Sequence, residues 1–199
     1  MNKQHFLLLF FWILYGVLHS FFANADVKFF FQKHLGTKFK YYRLAYSLFA
    51  AITLILLLWY QFSIYSTMFF TSEMVRYGLS LVLLLPGLII MIVCINKYFY
   101  ELSGIQAFQK NKPIIKPTLQ QNGLHKYVRH PLYSGTILFV WGLFLMFSLL
   151  SNLIAAVVLT SYVFIGISME EKKLLKEYGN EYYQYSRKVP KLIPGFRNR

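Results

Sequence analysis

The chain has 199 residues, of which 57% are apolar and 20% aromatic, and it carries 21 Lys and Arg against seven Asp and Glu. This composition excludes an ordinary soluble domain, whose surface needs far more charge, and it leaves room for one compact bundle of about five membrane spans. The net charge of +14 suggests a nucleic-acid partner, but the positions of the cations argue against that interpretation.

Five apolar segments in chain order predict an all-α integral membrane protein, with spans over residues 6–23, 44–65, 75–95, 133–150 and 153–169. Nineteen of the 21 Lys and Arg follow the first, third and fifth spans, and these three segments share one side of the membrane. The positive-inside rule therefore predicts a multi-pass inner-membrane protein with its N-terminus outside and its C-terminus in the cytoplasm. The predicted partner of the basic segments is the lipid bilayer, with no nucleic acid.

The N-terminal half contains three features whose roles the sequence leaves open. His19 lies near the end of the first span, where a lone histidine is more often a hydrogen-bonded packing residue than a ligand or proton carrier. Pro86 predicts a kink in the third span. Cys94 lies in an apolar run, so we expect it to pack rather than react. Residues 104–123, which follow, are polar and punctuated by proline, and they predict an irregular cytoplasmic segment.

An uncharged hairpin near the C-terminus has residues with ionisable side chains at both of its ends. Its arms, residues 133–150 and 153–169, are nearly equal in length and meet at Ser151-Asn152, which we interpret as the turn. His130 precedes the first arm, and Glu170-Glu171 follows the second. If both arms cross the membrane, His130 and the acidic pair are level at one bilayer face although they are 40 residues apart. The pattern predicts a site there.

The order of these motifs resembles a known family. The series begins with R-H-P-L-Y-S-G from Arg129 and continues with the hairpin and the acidic pair. It ends with a tyrosine-rich tail that closes with V-P-K-L-I-P at Pro194. This series resembles isoprenylcysteine carboxyl methyltransferases and related integral-membrane methyltransferases. The resemblance covers about residues 117–194. The N-terminal part is similar to bacterial relatives of the methanethiol S-methyltransferase type. The resemblance implies S-adenosyl-L-methionine as cofactor and a small or lipophilic methyl acceptor. It divides the single membrane domain into an N-terminal three-helix part, residues 1–96, and a cofactor-binding part, residues 97–199.

The resemblance also implies the composition of the cofactor site: Pro117, Thr118, Leu119, Gln120, His125, His130, Pro131, Leu132, Tyr133 and Glu170. Methyl transfer is a direct displacement, so the protein has to hold donor and acceptor in line rather than supply a nucleophile. We therefore assign no nucleophile, and we expect Arg129, His130 and Glu170 to position the reactants. Pro131 suits the first turn of a helix, whose free N–H groups can receive a carboxylate.

Several of these residues also have ordinary structural interpretations. The acidic pair can be a solvated helix surface paired with lysines; within this motif we favour a site role for Glu170 and leave Glu171 open. Arg129 can be a snorkelling cation and Tyr133 an interfacial aromatic. The tail tyrosines recur at helical spacing and predict a packing surface, while the resemblance implies that they help to close the cofactor pocket together with Val189-Pro190. These tyrosines are Tyr178, Tyr182 and Tyr185.

Two positions depart from the family pattern. The tyrosine that the family places before R-H-P is His125 here. The arginine that faces the substrate about one turn before the acidic pair aligns with Gly166. Without that arginine, a carboxylate acceptor loses its bidentate partner. The change argues against a prenylated protein as the substrate.

The sequence therefore predicts a membrane methyltransferase most similar to isoprenylcysteine carboxyl O-methyltransferases. A thiol S-methyltransferase and a phospholipid N-methyltransferase of the same fold are the alternatives. A non-catalytic membrane partner protein is a further alternative, because a fold can persist without its chemistry. The histidines are scattered without ligand spacing, so no metal site is predicted.

Overall fold

The computed structural model describes residues 2–70, 72–103 and 118–195. Seven α-helices follow one another in these ranges: α1 Lys3–Ala23, α2 Ala25–Leu35, α3 Tyr42–Ser63, α4 Glu73–Ser103, α5 Pro131–Phe147, α6 Leu150–Tyr178 and α7 Asn180–Lys188. Short 3₁₀ turns at Gly36–Tyr41 and Gly123–Lys126 precede α3 and α5. The predicted all-α fold is confirmed for the described residues, which contain no named strand.

Within the described residues, four helical runs are long and apolar enough to cross a membrane: Lys3–Ala23, Ala25–Ser63, Arg76–Lys97 and Leu150–Tyr178. Helix α5 is also apolar but has 17 residues, which corresponds to a length of about 26 Å. The chain is therefore a multi-pass membrane protein, and the predicted count of five spans depends on α5.

The connection between α1 and α3 is more regular than the sequence indicated. Its sequence is basic and aromatic, and it contains helix α2. Asn24 separates the two helices because its side chain accepts a hydrogen bond from the Asp26 N–H at 2.7 Å and so caps α2. Gly36 ends α2 at φ 50°, a left-handed conformation that glycine adopts without strain.

Helices α4 and α5 pack with their backbones in close contact, and glycines make this possible. A Cβ atom added at Gly87 would lie 2.7 Å from the Phe139 nitrogen, and one added at Gly142 would lie 2.9 Å from the Leu84 nitrogen. Small residues allow such close approach between membrane helices. Pro86 lies inside α4, as predicted, beside this contact.

The turn of the predicted hairpin lies elsewhere than expected. The chain turns at Ser148, whose φ of 52° is left-handed, and α6 already begins at Leu150. Ser151 and Asn152 are buried inside α6, so their assignment as the turn was wrong. Both serve contacts within the bundle: the Ser151 N–H donates to the Ser66 hydroxyl at 2.8 Å.

Asn152 belongs to a buried chain of hydrogen bonds across the bundle. The Trp12 indole donates to Gln61 Oε1 at 2.8 Å, and Gln61 Nε2 donates to Asn152 Oδ1 at 2.6 Å. Buried polar groups need such partners because water is excluded. These polar residues therefore join α1, α3 and α6 around the apolar core, which includes Leu8, Leu57, Ile64, Ile154 and Ala155.

Candidate active site

The site begins where the chain enters α5. His130 occupies the cap position and Pro131 the first helical position. The C-terminal tail runs beside this entrance: the Arg129 N–H donates to the Pro190 carbonyl at 2.8 Å, and the His130 N–H donates to the Lys191 carbonyl at 3.1 Å. The R-H-P string and the tail are thus held together by backbone hydrogen bonds.

The hairpin predicted to bring His130 level with the acidic pair does so. His130 Nδ1 lies 3.6 Å from Glu170 Oε2, and His130 Nε2 lies 3.3 Å from Glu171 Oε1. The imidazole is buried and lies between the two carboxylates. The equal arms of the hairpin account for this position, since α5 starts and the apolar part of α6 ends at the same bundle end.

The two carboxylates have different surroundings. Glu171 is surrounded by cationic groups: Arg129 Nε donates to its Oε1 at 2.9 Å, and Lys191 Nζ lies 3.1 Å from its Oε2. Arg129 also donates to the Ser186 and Val189 carbonyls of the tail. The sequence left the role of Glu171 open. In the structure its contacts join α6 to the start of α5 and to the tail.

Glu170 faces a cavity instead. Its Oε2 is buried, and among the described residues no donor reaches it within hydrogen-bond distance. His130 Nδ1, at 3.6 Å, is the nearby cationic candidate. A buried carboxylate oxygen without a donor is costly, so an oxygen in this state favours a ligand that supplies one.

The cavity has a volume of about 390 Å³, within the usual range for sites that bind small molecules. Ten of the predicted site residues line it, and the eleventh, Pro117, lies outside the described residues. The ten are Thr118, Leu119, Gln120, His125, Arg129, His130, Pro131, Leu132, Tyr133 and Glu170.

Five further residues line the cavity: Cys94, Leu174, Tyr178, Tyr182 and Tyr185. The resemblance implied that the three tyrosines help to close the pocket, whereas Cys94 and Leu174 were not assigned to it. Leu174 lies one helical turn after Glu170, so the i, i+4 spacing could have identified it. Cys94 is buried in α4 and had no sequence signal that distinguished it from a packing residue.

The tail closes one side of the cavity. The Tyr185 hydroxyl donates to the His125 carbonyl at 2.7 Å, which holds α7 against the 3₁₀ turn before α5. Burial raises the pKa of Tyr182, and the nearby Glu171 carboxylate adds to this effect. Burial also lowers the pKa of His125, and the neighbouring Lys97 and His130 add to this effect. Both groups are therefore neutral at pH 7.

This cavity suits a ligand that carries both a negative and a positive charge. Helix α5 presents the backbone N–H groups of Leu132 and Tyr133, which have no acceptor inside the first turn of a helix and can bind an anion. The Glu170 carboxylate can bind a cation. The aromatic walls can stack on a planar group. The described residues include no group of three His, Cys, Asp or Glu that could hold a metal ion.

Comparison with known proteins identifies the family. The model of the phospholipid methyltransferase family matches residues 75–181. Methanethiol S-methyltransferase 1 of Bradyrhizobium diazoefficiens is 31% identical over 192 residues, covering 93% of this chain and 65% of the relative. Methanethiol S-methyltransferase of Crocosphaera subtropica is 28% identical over 185 residues, covering 91% and 71%.

A third relative, the protein-S-isoprenylcysteine O-methyltransferase of Schizosaccharomyces pombe, is 32% identical over 111 residues, covering 51% of this chain and 46% of that protein. The chain thus spans about two thirds of the first relative and less than half of the third. No solved structure matches significantly. The match over more than half of the chain confirms the predicted resemblance, and the chain belongs to the phospholipid methyltransferase family of membrane methyltransferases.

Proposed function

We propose that the chain is an S-adenosyl-L-methionine-dependent methyltransferase that methylates the sulfur of a small thiol. The observation that carries this proposal is the cavity in which the buried Glu170 Oε2, lacking a donor, lies beside the start of α5. Family membership supports methyl transfer as the reaction. The predicted site residues are proposed as the residues that perform it.

The charge pattern of the cavity fits the methionine end of this cofactor. The Glu170 carboxylate would hold its ammonium group, and the N–H groups of Leu132 and Tyr133 would hold its carboxylate. His125, Tyr182 and Tyr185 would surround the adenine. When bound, the cofactor supplies a methyl group on a positively charged sulfur, which a nucleophile can attack directly. The protein's part is to orient the two reactants and to exclude water.

The choice of a thiol acceptor rests on the relatives and on Gly166. Alignments with two methanethiol S-methyltransferases run over more than 90% of the chain, whereas the alignment with the isoprenylcysteine enzyme covers 51%. A Cβ atom added at Gly166 would meet no atom within 4 Å. The resemblance expects a carboxylate-binding arginine at this position, where the structure has open space. This favours an acceptor without a carboxylate, and therefore a reaction other than the O-methylation that the sequence suggested first.

The orientation and the division of the chain are part of the proposal. The cofactor is made in the cytoplasm, so the basic end of the bundle, which holds the cavity, is proposed to face it, with the N-terminus outside. Residues 97–199 are proposed to bind the cofactor, and residues 1–96 to shape the acceptor side.

The test has two stages. Calorimetry with S-adenosylhomocysteine on the detergent-purified protein measures cofactor binding. Transfer of a labelled methyl group then compares ethanethiol, an S-farnesylcysteine derivative and phosphatidylethanolamine as acceptors. Binding with preferred transfer to ethanethiol is the expected result. Preferred transfer to one of the other two would replace the thiol by that acceptor class, and failure of the folded protein to bind would favour a non-catalytic role.

A further inference from the structure

A polar cluster lies inside the bundle, apart from the cavity. It consists of His19 and Tyr15 of α1, Tyr46 of α3 and Tyr162 of α6. The Tyr46 hydroxyl lies 3.0 Å from both ring nitrogens of His19, and the His19 ring centroid lies 5.3 Å from that of Tyr46 and 6.3 Å from that of Tyr162. Tyr162 reaches α1 through its hydroxyl, which lies 3.0 Å from the Ser20 hydroxyl. We name these four residues the His19 cluster.

Such a cluster is unusual in a membrane-spanning region. Ionisable side chains within membrane helices are costly, face the bundle interior and commonly mark substrate paths or proton relays. His19 is only partly buried, and it lines a groove between α1 and α3.

An apolar groove leads to the cluster. It lies between α1 and α3, has a volume of about 310 Å³, and is lined at one end by Tyr15 and His19. Its remaining lining is almost wholly apolar: Phe11, Leu14, Leu18, Phe49, Ala50, Thr53, Leu56, Leu57, Trp59 and Tyr60. An alkyl chain with a polar head matches this arrangement, with the chain along the groove and the head at His19.

The cluster is also connected to the cofactor cavity. Tyr162, Gly166 and Glu170 follow one another at four-residue spacing, so they lie on one face of α6 within about 12 Å along the helix axis. The space beside Gly166 is open. Helix α6 thus runs from the His19 cluster to the cavity along this face.

We infer that the acceptor thiol binds at the His19 cluster, with its alkyl part in the groove, and that His19 accepts the thiol proton. This inference rests on the proposed thiol methylation. In the step, the S–H bond breaks and its proton moves to the unprotonated ring nitrogen of His19. The sulfur lone pair forms the new bond to the methyl carbon, and the electrons of the broken carbon–sulfur bond remain on the donor sulfur. An imidazole suits this role because it takes up a proton near neutral pH.

The test separates proton acceptance from a structural role. His19→Gln is compared with the wild-type protein on ethanethiol and on 4-nitrothiophenol, whose acidic thiol is already ionised at neutral pH. We expect the variant to lose about 100-fold in kcat with ethanethiol and to change little with 4-nitrothiophenol. Binding of S-adenosylhomocysteine, which is expected to be unchanged, verifies that the variant is folded.

Equal losses on both thiols, or no loss on either, would overturn the role of His19 while leaving thiol methylation in place. A wild-type protein that binds S-adenosylhomocysteine but methylates neither thiol would overturn the proposed acceptor and this inference with it. If His19→Gln fails to fold, His19→Asn provides the same comparison, because it also removes the imidazole that accepts the proton. A selective loss on ethanethiol is again expected.

The groove is tested by filling it. Ala50→Phe narrows the groove, and Ala51→Phe is the matched control because Ala51 does not line it. We expect Ala50→Phe, compared with Ala51→Phe, to lower kcat/KM for octanethiol by about tenfold. The same loss in both variants, or none in either, would overturn the groove as the site of the alkyl chain.

Discussion

Arg129 and Glu171 form a largely buried ion pair, with the Arg129 side chain 8% exposed and that of Glu171 18%. The pair joins the segment before α5 to α6, and the same guanidinium binds two carbonyls of the tail. Three separate parts of the chain therefore meet on one arginine. The cavity depends on this junction, because α6 and the tail supply its walls.

Glu171→Gln tests the junction. The substitution leaves Arg129 buried beside a neutral group, so we expect a loss of about 2–4 kcal/mol in the free energy of unfolding, measured by denaturation in detergent. Lys191→Gln is the control, since the Lys191 side chain is 41% exposed and should contribute less than about 1 kcal/mol. Equal effects of the two substitutions would contradict the conclusion that the Arg129–Glu171 pair holds these parts of the chain together.

Glu170→Gln is expected to weaken binding of S-adenosylhomocysteine and to leave the fold intact. The substitution removes the negative charge at the cavity, and a hydrogen bond to a charged group contributes about 1.5–3 kcal/mol, so the Kd should rise about tenfold to 100-fold. Glu177→Gln on the same helix is the control, because Glu177 is exposed and does not line the cavity. Unchanged affinity in Glu170→Gln would remove Glu170 from the proposed site.

Gly142→Ala should destabilise the bundle. The added Cβ atom would lie 2.7 Å from Leu84 Cγ and 2.9 Å from the Leu84 nitrogen, so α4 and α5 would have to separate. Overpacking of this kind costs about 1–3 kcal/mol and should lower the unfolding temperature in detergent. Gly166→Ala is the matched control, since its Cβ atom enters open space. A stable Gly142→Ala protein would show that the helix contact is looser than described.

The lowered pKa of His125 predicts a pH dependence of stability. The folded chain binds this proton less tightly than the unfolded chain, so protonation favours unfolding. The stability that neutral His125 contributes is present above the ordinary histidine pKa of about 6.5 and is lost as the pH falls below it. His125→Gln should therefore lose less stability between about pH 7.5 and about pH 5.5 than the wild-type protein.

Unfolding temperatures at the two pH values measure this difference. His34→Gln is the control because His34 is exposed at the basic end of the bundle, and it should keep the wild-type pH dependence. If His125→Gln and the wild-type protein lose stability equally on acidification, a group other than His125 is responsible.

Much of the arrangement could be predicted from local sequence. The length and apolar character of the spans determine that the chain lies in a membrane, because each crossing needs about 20 apolar residues. The equal arms of the hairpin place His130 level with Glu170 and Glu171 by simple helix geometry. Pro131 marks the start of α5, since its fixed φ and missing N–H suit the first helical turn.

Other features depend on contacts between distant residues. Ser151 and Asn152 look like a turn in the sequence, but they lie within α6 because Gln61 and Ser66 supply hydrogen-bond partners. The resemblance favoured Glu170 for the site, but the contacts of Glu171 had no local signal. Neighbouring residues on a helix point in directions about 100° apart, so one carboxylate meets Arg129 and Lys191 while the other faces the cavity.

The sequence by itself thus determined the membrane class, the helices of the hairpin and the residue types of the candidate site, since these follow from composition, periodicity and chain length. Only the tertiary structure decided that Glu171 binds Arg129 and Lys191, that Cys94 and Leu174 line the cavity, and that His19 lies beside Tyr46 and Tyr162. The reason is physical: hydropathy and helix period act along the chain, whereas partners for buried polar groups come from whichever helices pack together.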